Sequence, residues 1–280
     1  MSQPVAIITG AGKGLGRAYA LKLASLGVNV VVNNRSHADQ PNSADAVVDE
    51  IKALGGSAVA EYSSAQDPDS GANLLSKALD TWGRLDIVVA NAGFDHPQSF
   101  HKQSFADFEA IMETNFYGTA RLLHAVWPHL RSTGYGRVVV SSSTAGLYGN
   151  HGQSAYSASK AALIGLMRSL HHEVKNYDIG INAIAPYALT PLTAKWFPED
   201  WATLFSAEKV ADTLALLTSP DNPVSGKVYI SGAGKLREAR MQETQALELT
   251  SAHAIMEELA GLNASETPES ASKEFERFLL

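Results

Sequence analysis

The stretch TGAGKGLGRAYA, Thr9–Ala20, is the strongest indication of the fold class in this sequence. It carries glycine at Gly10, Gly12, Gly14 and Gly16, after a short apolar run and before a segment with apolar residues at helical spacing. Glycine allows positive φ and lets a backbone approach a phosphate closely, and a helix N-terminus presents free N–H groups to an anion. The stretch therefore predicts a strand, a turn that binds the pyrophosphate of a dinucleotide, and a helix.

Composition and charge narrow the classes of function. With 280 residues, of which 45% are hydrophobic, the chain can bury a full core. Its net charge of −7 argues against a nucleic-acid partner, because phosphate binding needs a basic surface. The absence of cysteine excludes disulfides, thiolate catalysis and cysteine-ligated zinc, and the histidine spacing predicts no metal site. We find no apolar run long enough for a membrane span and no signal-peptide pattern, so we expect a cytoplasmic protein.

Short β-branched runs alternate with amphipathic segments along most of the chain. Strands are predicted over Val5–Thr9, Val28–Asn33, Ser57–Ala60, Leu85–Ala90, Arg137–Ser142, Gly180–Ala185 and Lys227–Ser231. Because these runs are apolar on both faces, they are typical of parallel strands covered by helices. The alternation predicts one doubly wound α/β domain, Rossmann-like, over residues 1–234. Residues 235–280 are rich in Glu, Ala and Leu and predict a helical extension that packs on this domain or on a neighbouring subunit.

Five motifs resemble, in chain order, those of the short-chain dehydrogenase/reductase family. They are T-G-x-x-x-G-x-G at Thr9–Gly16, NAG at Asn91–Gly93, the single residue Asn115, SSS at Ser141–Ser143 and YSASK at Tyr156–Lys160. The resemblance extends over nearly all of residues 4–234. It implies an oxidoreductase that binds a nicotinamide dinucleotide and a small hydroxy or keto substrate. By the same analogy, we expect a homodimer or a homotetramer.

Four residues are predicted to carry the chemistry. Tyr156 and Lys160 lie four residues apart and so share one face of a helix. An ammonium favours a neighbouring phenolate, so we expect Lys160 to lower the pKa of Tyr156 from its usual value near 10. Tyr156 can then exchange a proton with a substrate oxygen while hydride moves. By resemblance, Ser143 holds that oxygen, and Asn115 kinks its helix and holds a water that connects Lys160 to solvent.

The end of the second predicted strand bears on which nicotinamide binds. A carboxylate there usually binds the adenosine ribose and selects NAD. Here Asn34 takes its place, and Arg35 follows with a guanidinium suited to a 2′-phosphate. The pair predicts NADP(H) over NAD(H); the alternative is that Arg35 is a solvated surface residue and Asn34 binds the ribose of NAD. The predicted cofactor residues are Gly10, Gly12, Lys13, Gly14, Leu15, Gly16, Asn34, Arg35, Ser63, Asn91, Ala92, Gly93, Tyr156, Lys160, Pro186, Leu189 and Thr190.

Further stretches, the longest being GLYGNHGQSAYSASKAAL at Gly146–Leu163, bear on the substrate. Within the family they resemble the (3R)-hydroxyacyl-CoA dehydrogenase (17β-hydroxysteroid dehydrogenase type 4) domains of multifunctional enzymes of type 2. That resemblance implies a bulky apolar substrate, either a 3-hydroxyacyl thioester or a steroid. Two alternatives stay open: a 3-oxoacyl-carrier-protein reductase, which should show a basic patch for its acidic carrier, and a dinucleotide-binding sensor without turnover.

Residues 186–206 form a long irregular segment that contains aromatic residues and prolines. Loops of such length in compact domains are usually functional lids or disordered segments. Several side chains in and before it either wall a flat apolar substrate pocket or pack in the core and the lid: Leu147, Tyr148, Gln153, Tyr187, Trp196, Phe197 and Trp201.

Overall fold

A computed structural model describes residues 3–36, 41–194, 198 and 201–241 of the chain. Within those residues, one eight-stranded sheet has the order β3-β2-β1-β4-β5-β6-β7-β8. The strands are β1 Val5–Ile8, β2 Asn29–Asn33, β3 Ala58–Glu61, β4 Ile87–Ala90, β5 Tyr135–Ser141, β6 Asp178–Pro186, β7 Val228–Gly232 and β8 Lys235–Ala239. The helices are α1 Gly14–Ser25, α2 Ser43–Ala53, α3 Ser70–Trp82, α4 Phe105–Met112, a π-helix Glu113–Tyr117, α5 Gly118–Thr133, α6 Thr144–Tyr148, α7 Ser154–Glu173 and α8 Ala207–Thr218.

Helices cover both faces of the sheet, and this explains why the strands are apolar throughout. In β2, Val30 and Val32 point into a core formed with α1, α2 and α8, whereas Val31 points into a second core formed with α3, α5 and α7. Alternating side chains thus enter opposite cores although all are valine. The predicted doubly wound α/β fold is confirmed, with parallel pairing from β3 through to β7.

The order of the strands places the site. Strand β1 pairs with β2 on one side and with β4 on the other, so the chain winds in opposite directions from this point. A doubly wound sheet opens a crevice at the carboxyl ends of the strands where the winding reverses. Thr9, which follows β1, and Asn91, which follows β4, meet there: the Thr9 hydroxyl accepts a hydrogen bond from the Asn91 backbone N–H at 3.0 Å. The predicted motifs therefore converge on one edge of the sheet.

The expected helical extension is wrong at its beginning. Lys235–Ala239 form β8, which pairs antiparallel with β7. Ala233 and Gly234 both have positive φ, 51° and 73°, and Gly232 pairs with Lys235 across them. Two consecutive positive-φ residues make the primed turn that matches the twist of a two-residue hairpin, so the predicted boundary at residue 234 falls inside a hairpin. Residues 242–280 lie outside the described part, and the helical expectation there stays a prediction.

Among the helices of the described residues, none is both long enough and apolar enough to cross a bilayer.

Candidate active site

An open cleft lies at the carboxyl ends of β1, β2 and β4. Most of the predicted cofactor residues line it together: Gly10, Lys13, Gly14, Leu15, Gly16, Asn34, Arg35, Ser63, Asn91, Ala92, Gly93 and Thr190. Asn33, Ser64, Ala65, Phe94, Thr114, Pro191 and Leu192 complete the lining. Residues from distant parts of the sequence meet there because each follows, or leads into, a different element of the same sheet edge.

The glycine turn at the base of the cleft has geometry that only glycine permits. Gly10 and Gly14 have φ of 65° and 54°. A Cβ at Gly10 would lie 2.9 Å from Ala92 Cα, and one at Gly16 would lie 2.1 Å from the Gly10 carbonyl oxygen. Lys13, the N-cap of α1, makes no side-chain capping hydrogen bond, so the first N–H groups of the helix can donate hydrogen bonds to an anion. These features fit the pyrophosphate of a dinucleotide.

Five predicted cofactor residues are not part of the cleft lining: Tyr156 and Lys160, which are described below, and Gly12, Pro186 and Leu189. Gly12 packs beneath the turn, where a Cβ would lie 2.2 Å from Ser43 Oγ. It leaves room for Ser43 to accept a 2.8 Å hydrogen bond from Asn34 Nδ2 and so to orient Asn34. Pro186 ends β6 and Leu189 lies in the loop that follows.

Replacing Gly16 by alanine is expected to abolish dinucleotide binding and to lower the melting temperature, because the new methyl group meets the Gly10 carbonyl at 2.1 Å. Gly165→Ala on α7 is the matched control, since no atom lies within 4 Å of the new Cβ. The control should raise stability by about 0.5–1 kcal/mol. Thermal unfolding and calorimetric binding of NADPH measure both variants. Unchanged cofactor affinity in the Gly16 variant would contradict the assignment of this turn.

Tyr156, Ser143 and Lys160 form a cluster beside the cleft. Tyr156 lies in the first turn of α7 and Lys160 lies one turn further on, with its Nζ 5.6 Å from the centre of the Tyr156 ring. Ser143 follows β5 as the N-cap of α6, and its hydroxyl is in hydrogen-bonding contact with that of Tyr156. A Cβ on the cleft residue Gly93 would lie 3.4 Å from Lys160 Nζ, which places the ammonium at the edge of the cleft.

The three serines of the SSS motif differ in their hydrogen bonds. The Ser141 carbonyl accepts a 2.7 Å hydrogen bond from Lys160 Nζ, and the Ser141 hydroxyl donates to Asn91 Oδ1 at 3.1 Å. The Ser142 hydroxyl donates to the Lys160 carbonyl at 2.9 Å. Ser143 is left as the serine that contacts Tyr156, so Ser141 and Ser142 hold the lysine and Ser143 faces the phenol.

Asn115 lies in the π-helix Glu113–Tyr117, between α4 and α5, and is fully buried. Its Oδ1 accepts from the Phe94 N–H at 2.9 Å, and its Nδ2 donates to the Phe94 carbonyl at 2.9 Å and to Ser159 Oγ at 3.2 Å. The side chain thus fastens the loop after β4 to α7. The predicted water held by Asn115 stays a prediction.

Comparison with known proteins agrees with this geometry. A family model described as short chain dehydrogenase matches residues 4–201. The chain belongs to the short-chain dehydrogenase family. A crystal structure of a short chain dehydrogenase from Mycobacterium avium superposes with a TM-score of 0.83 at 32% identity, over 95% of this chain and 96% of that one. This dehydrogenase is therefore an oxidoreductase of the short-chain type.

The names of two relatives describe those proteins more specifically than the family does. The dehydrogenase is 38% identical to peroxisomal multifunctional enzyme type 2 of Mus musculus over 86% of this chain, but it spans only 33% of that protein. It is 34% identical to a 3-oxoacyl-[acyl-carrier-protein] reductase of Synechocystis over 83% of this chain and 94% of that protein. The first match covers one region of a longer protein, and the second covers nearly a whole one.

Burial has the largest effect on the pKa values of Tyr156 and Lys160 in this dehydrogenase. Tyr156 keeps some exposed surface, yet burial raises its pKa to about 12, against the lowering effect of the Ser143 hydrogen bond. Burial also lowers the pKa of Lys160 to about 8. The expectation that Lys160 brings the pKa of Tyr156 below 10 is therefore wrong for this geometry, because burial of the phenol raises its pKa by more than its neighbours lower it. Tyr156 therefore holds its proton near neutral pH.

The end of the cleft that is predicted to bind the adenosine carries positive charge. Among the described residues that line the cleft, those that carry a charge are Lys13 and Arg35. Glu61, at the end of β3, was not foreseen from the sequence. Its carboxylate accepts from Asn33 Nδ2 at 2.7 Å and from the Ser63 backbone N–H at 2.9 Å. These bonds engage Glu61 beneath the cleft, which leaves the two cations to face the ligand.

The aromatic residues proposed for a substrate wall pack mostly against each other. Tyr187 is 8% exposed and forms a small apolar cluster with Phe205 and Ile230, against which Leu147, Tyr148 and Trp201 also pack. This arrangement favours the packing interpretation for them. Trp196 and Phe197 lie outside the described residues.

Proposed function

We propose that this chain interconverts a secondary alcohol and a ketone on a 3-hydroxyacyl or 3-oxoacyl thioester, with NADP(H) as the hydride carrier. The observation that carries the proposal is the contact of the Ser143 and Tyr156 hydroxyls beside a glycine-floored cleft whose edge holds Lys160. The similarity to a multifunctional enzyme of type 2 supports the thioester over a steroid, which is the remaining substrate of the sequence prediction.

The residues of the chain have separate tasks in this reaction. The glycine turn would hold the pyrophosphate, and Lys13 and Arg35 would hold the adenosine phosphate. A bound nicotinamide supplies hydride to the carbonyl carbon, or accepts it from the carbinol carbon in the reverse direction. Ser143 orients the substrate oxygen, and Tyr156 donates its phenol proton to that oxygen during reduction and takes it back during oxidation. Lys160, at the edge of the cleft, returns a proton to Tyr156.

A substrate panel tests the proposal. Purified protein with NADPH is offered 3-oxoacyl-CoA thioesters, ketosteroids and simple ketones, and the loss of reduced nicotinamide is followed by absorbance. The 3-oxoacyl-CoA thioesters should react with the highest kcat/KM, and the product should be the 3-hydroxyacyl-CoA. Faster reaction of a steroid, or no reaction of any thioester, would contradict the substrate assignment.

A second candidate is a 3-oxoacyl-carrier-protein reductase, which the match over 94% of the Synechocystis protein favours. The net charge of −7 opposes it, because an acidic carrier docks on a basic surface. The same acyl chain presented on CoA and on carrier protein separates the two. A kcat/KM that is higher on the carrier protein, and falls steeply with salt, would favour the second candidate.

Arg35→Ala is expected to raise the KM for NADPH by about tenfold to a hundredfold, since one charge-assisted hydrogen bond contributes roughly 1.5–3 kcal/mol. The KM for NADH should change little, because NADH lacks the 2′-phosphate. Lys77→Ala, which removes an exposed cation on α3, is the control. Asn34→Asp supplies the converse test, because a carboxylate at this position should favour NADH. Equal KM values for NADPH in Arg35→Ala and the unmodified protein would reject the NADP assignment.

The assembly and the cellular location stay predictions. A homodimer or homotetramer is expected by analogy with the family, and light scattering of the purified protein measures it. The cytoplasmic location is tested by imaging the tagged full-length protein.

A further inference from the structure

The loop that follows β4 is fastened to the beginning of α7. Gln153 Nε2 donates a hydrogen bond to the Asp95 carboxylate, and the Gln98 backbone N–H donates to the Gly152 carbonyl at 2.8 Å. Asn150 Nδ2 donates to Gln153 Oε1 at 2.7 Å and so fixes the amide that binds Asp95. Hydrogen bonds that run from Asn150 through Gln153 therefore hold the Asp95 carboxylate in place.

That place is next to the catalytic pair. Gln153 is the N-cap residue of α7, and Tyr156 lies in the first turn after it. Burial is the largest cause of the raised pKa of Tyr156, and the negative charge of Asp95 adds to it; burial is also the largest cause of the lowered pKa of Lys160, and there the charge of Asp95 opposes it. One carboxylate thus acts on both members of the pair.

Other charged or titratable groups lie on the elements packed here, among them His101 and Lys102 in the loop after β4 and Asp107 and Glu109 on α4. His96 follows Asp95 in its own loop, and His151 lies in the turn between α6 and α7. On the π-helix, Glu113 is paired with Arg121 at 2.6 Å and is thereby neutralised locally. Among these groups, Asp95 is the one whose charge acts on both Tyr156 and Lys160.

We propose that Asp95 is a positioning residue for the acid–base pair: held by Gln153 at the N-cap of α7, it keeps a negative charge beside the helical turn that carries Tyr156. The inference deepens the proposed function and rests on it for its catalytic meaning. Asp95 changes no bond itself. It favours retention of the proton that Tyr156 donates to the substrate oxygen and that Lys160 returns.

The test uses the full chain and does not require turnover. Lysine is labelled with carbon-13 at Cε, the Lys160 signal is assigned by its loss in Lys160→Met, and its titration is followed by NMR. The unmodified protein should titrate near pH 8. Asp95→Asn keeps the shape and the hydrogen bond with Gln153 but removes the charge, so its midpoint should move to lower pH. Asp95→Glu should restore the original midpoint, and Asp80→Asn, which removes an exposed carboxylate on α3, should leave it unchanged.

The pH profile of alcohol oxidation is the second readout. In Asp95→Asn, the rise of kcat/KM with pH should level off at lower pH than in the unmodified protein, whereas the KM for the dinucleotide should stay the same. A midpoint and a profile in Asp95→Asn that equal those of the unmodified protein overturn the inference. If no substrate reacts but the NMR midpoint moves, the proposed function falls while the electrostatic role of Asp95 stands.

Discussion

Tyr156→Phe is expected to lower kcat by about 10³-fold, within the range that positioned acid–base groups contribute. The ring keeps its place in the first turn of α7, but the hydroxyl that contacts Ser143 and would exchange the proton is gone. The affinity for NADPH should stay nearly unchanged, because the glycine turn and the adenosine end of the cleft are untouched. Steady-state turnover and calorimetric binding of NADPH measure the two quantities separately.

Tyr177→Phe is the matched control, since it removes a hydroxyl from an exposed tyrosine outside the site. Turnover that survives in Tyr156→Phe would assign the proton transfer to another group. If the unmodified protein shows no turnover and both variants bind NADPH as it does, the result would instead favour a dinucleotide sensor.

Lys160→Met should have two opposite consequences. Loss of the ammonium should lower kcat by about 10²-fold or more, because the group proposed to return a proton to Tyr156 is removed. Near neutral pH, however, the buried ammonium of Lys160, which is 4% exposed, destabilises the unmodified protein because it has lost its hydration. Methionine carries no charge and avoids this cost. The variant should therefore gain stability relative to the unmodified protein at low pH, offset by the loss of the hydrogen bond to the Ser141 carbonyl.

The pH dependence of that difference gives the sharper test. The pKa of Lys160 is about 8 in the fold, whereas exposed lysine has a pKa near 10.4, so between these values the unfolded chain binds more protons. The stability of the unmodified protein then rises with pH across this window, and the full cost of the buried charge applies below it. The stability of Lys160→Met relative to the unmodified protein should fall by roughly 2–3 kcal/mol between about pH 7 and about pH 10.

Denaturant unfolding of both proteins at several pH values measures this difference. Lys77→Met, at an exposed position on α3, should show none of this pH dependence. If the difference in the free energy of unfolding between Lys160→Met and the unmodified protein does not change with pH, Lys160 has its ordinary pKa in the fold.

Much of the fold and site could be predicted from the sequence because the signals are local. The glycines after β1 require a backbone that only glycine adopts, as the 65° φ of Gly10 shows. Asn91, Ser143 and Tyr156 each follow a strand end or open a helix, and the parallel sheet brings those ends to one edge. Strand order and parallel pairing are enough to predict that these residues lie close together.

The remaining features depend on distances that the sequence does not encode locally. The hairpin at Ala233 and Gly234 turns a segment of helical composition into β8, because strand pairing with β7 outweighs propensity. The raised pKa of Tyr156 comes from burial, which pattern analysis could not weigh against the charge of Lys160. Asp95 carries no motif, and its importance follows from its contact with Gln153, which lies far along the chain.

The account depends most directly on where a dinucleotide binds relative to Tyr156, and a crystal structure of the protein with NADP(H) measures this. The account predicts that the pyrophosphate lies on the Gly10–Gly16 turn, the 2′-phosphate at Arg35, and the nicotinamide ring beside the hydroxyl groups of Tyr156 and Ser143. A dinucleotide bound elsewhere, or a nicotinamide from which the Tyr156 hydroxyl points away, would contradict it.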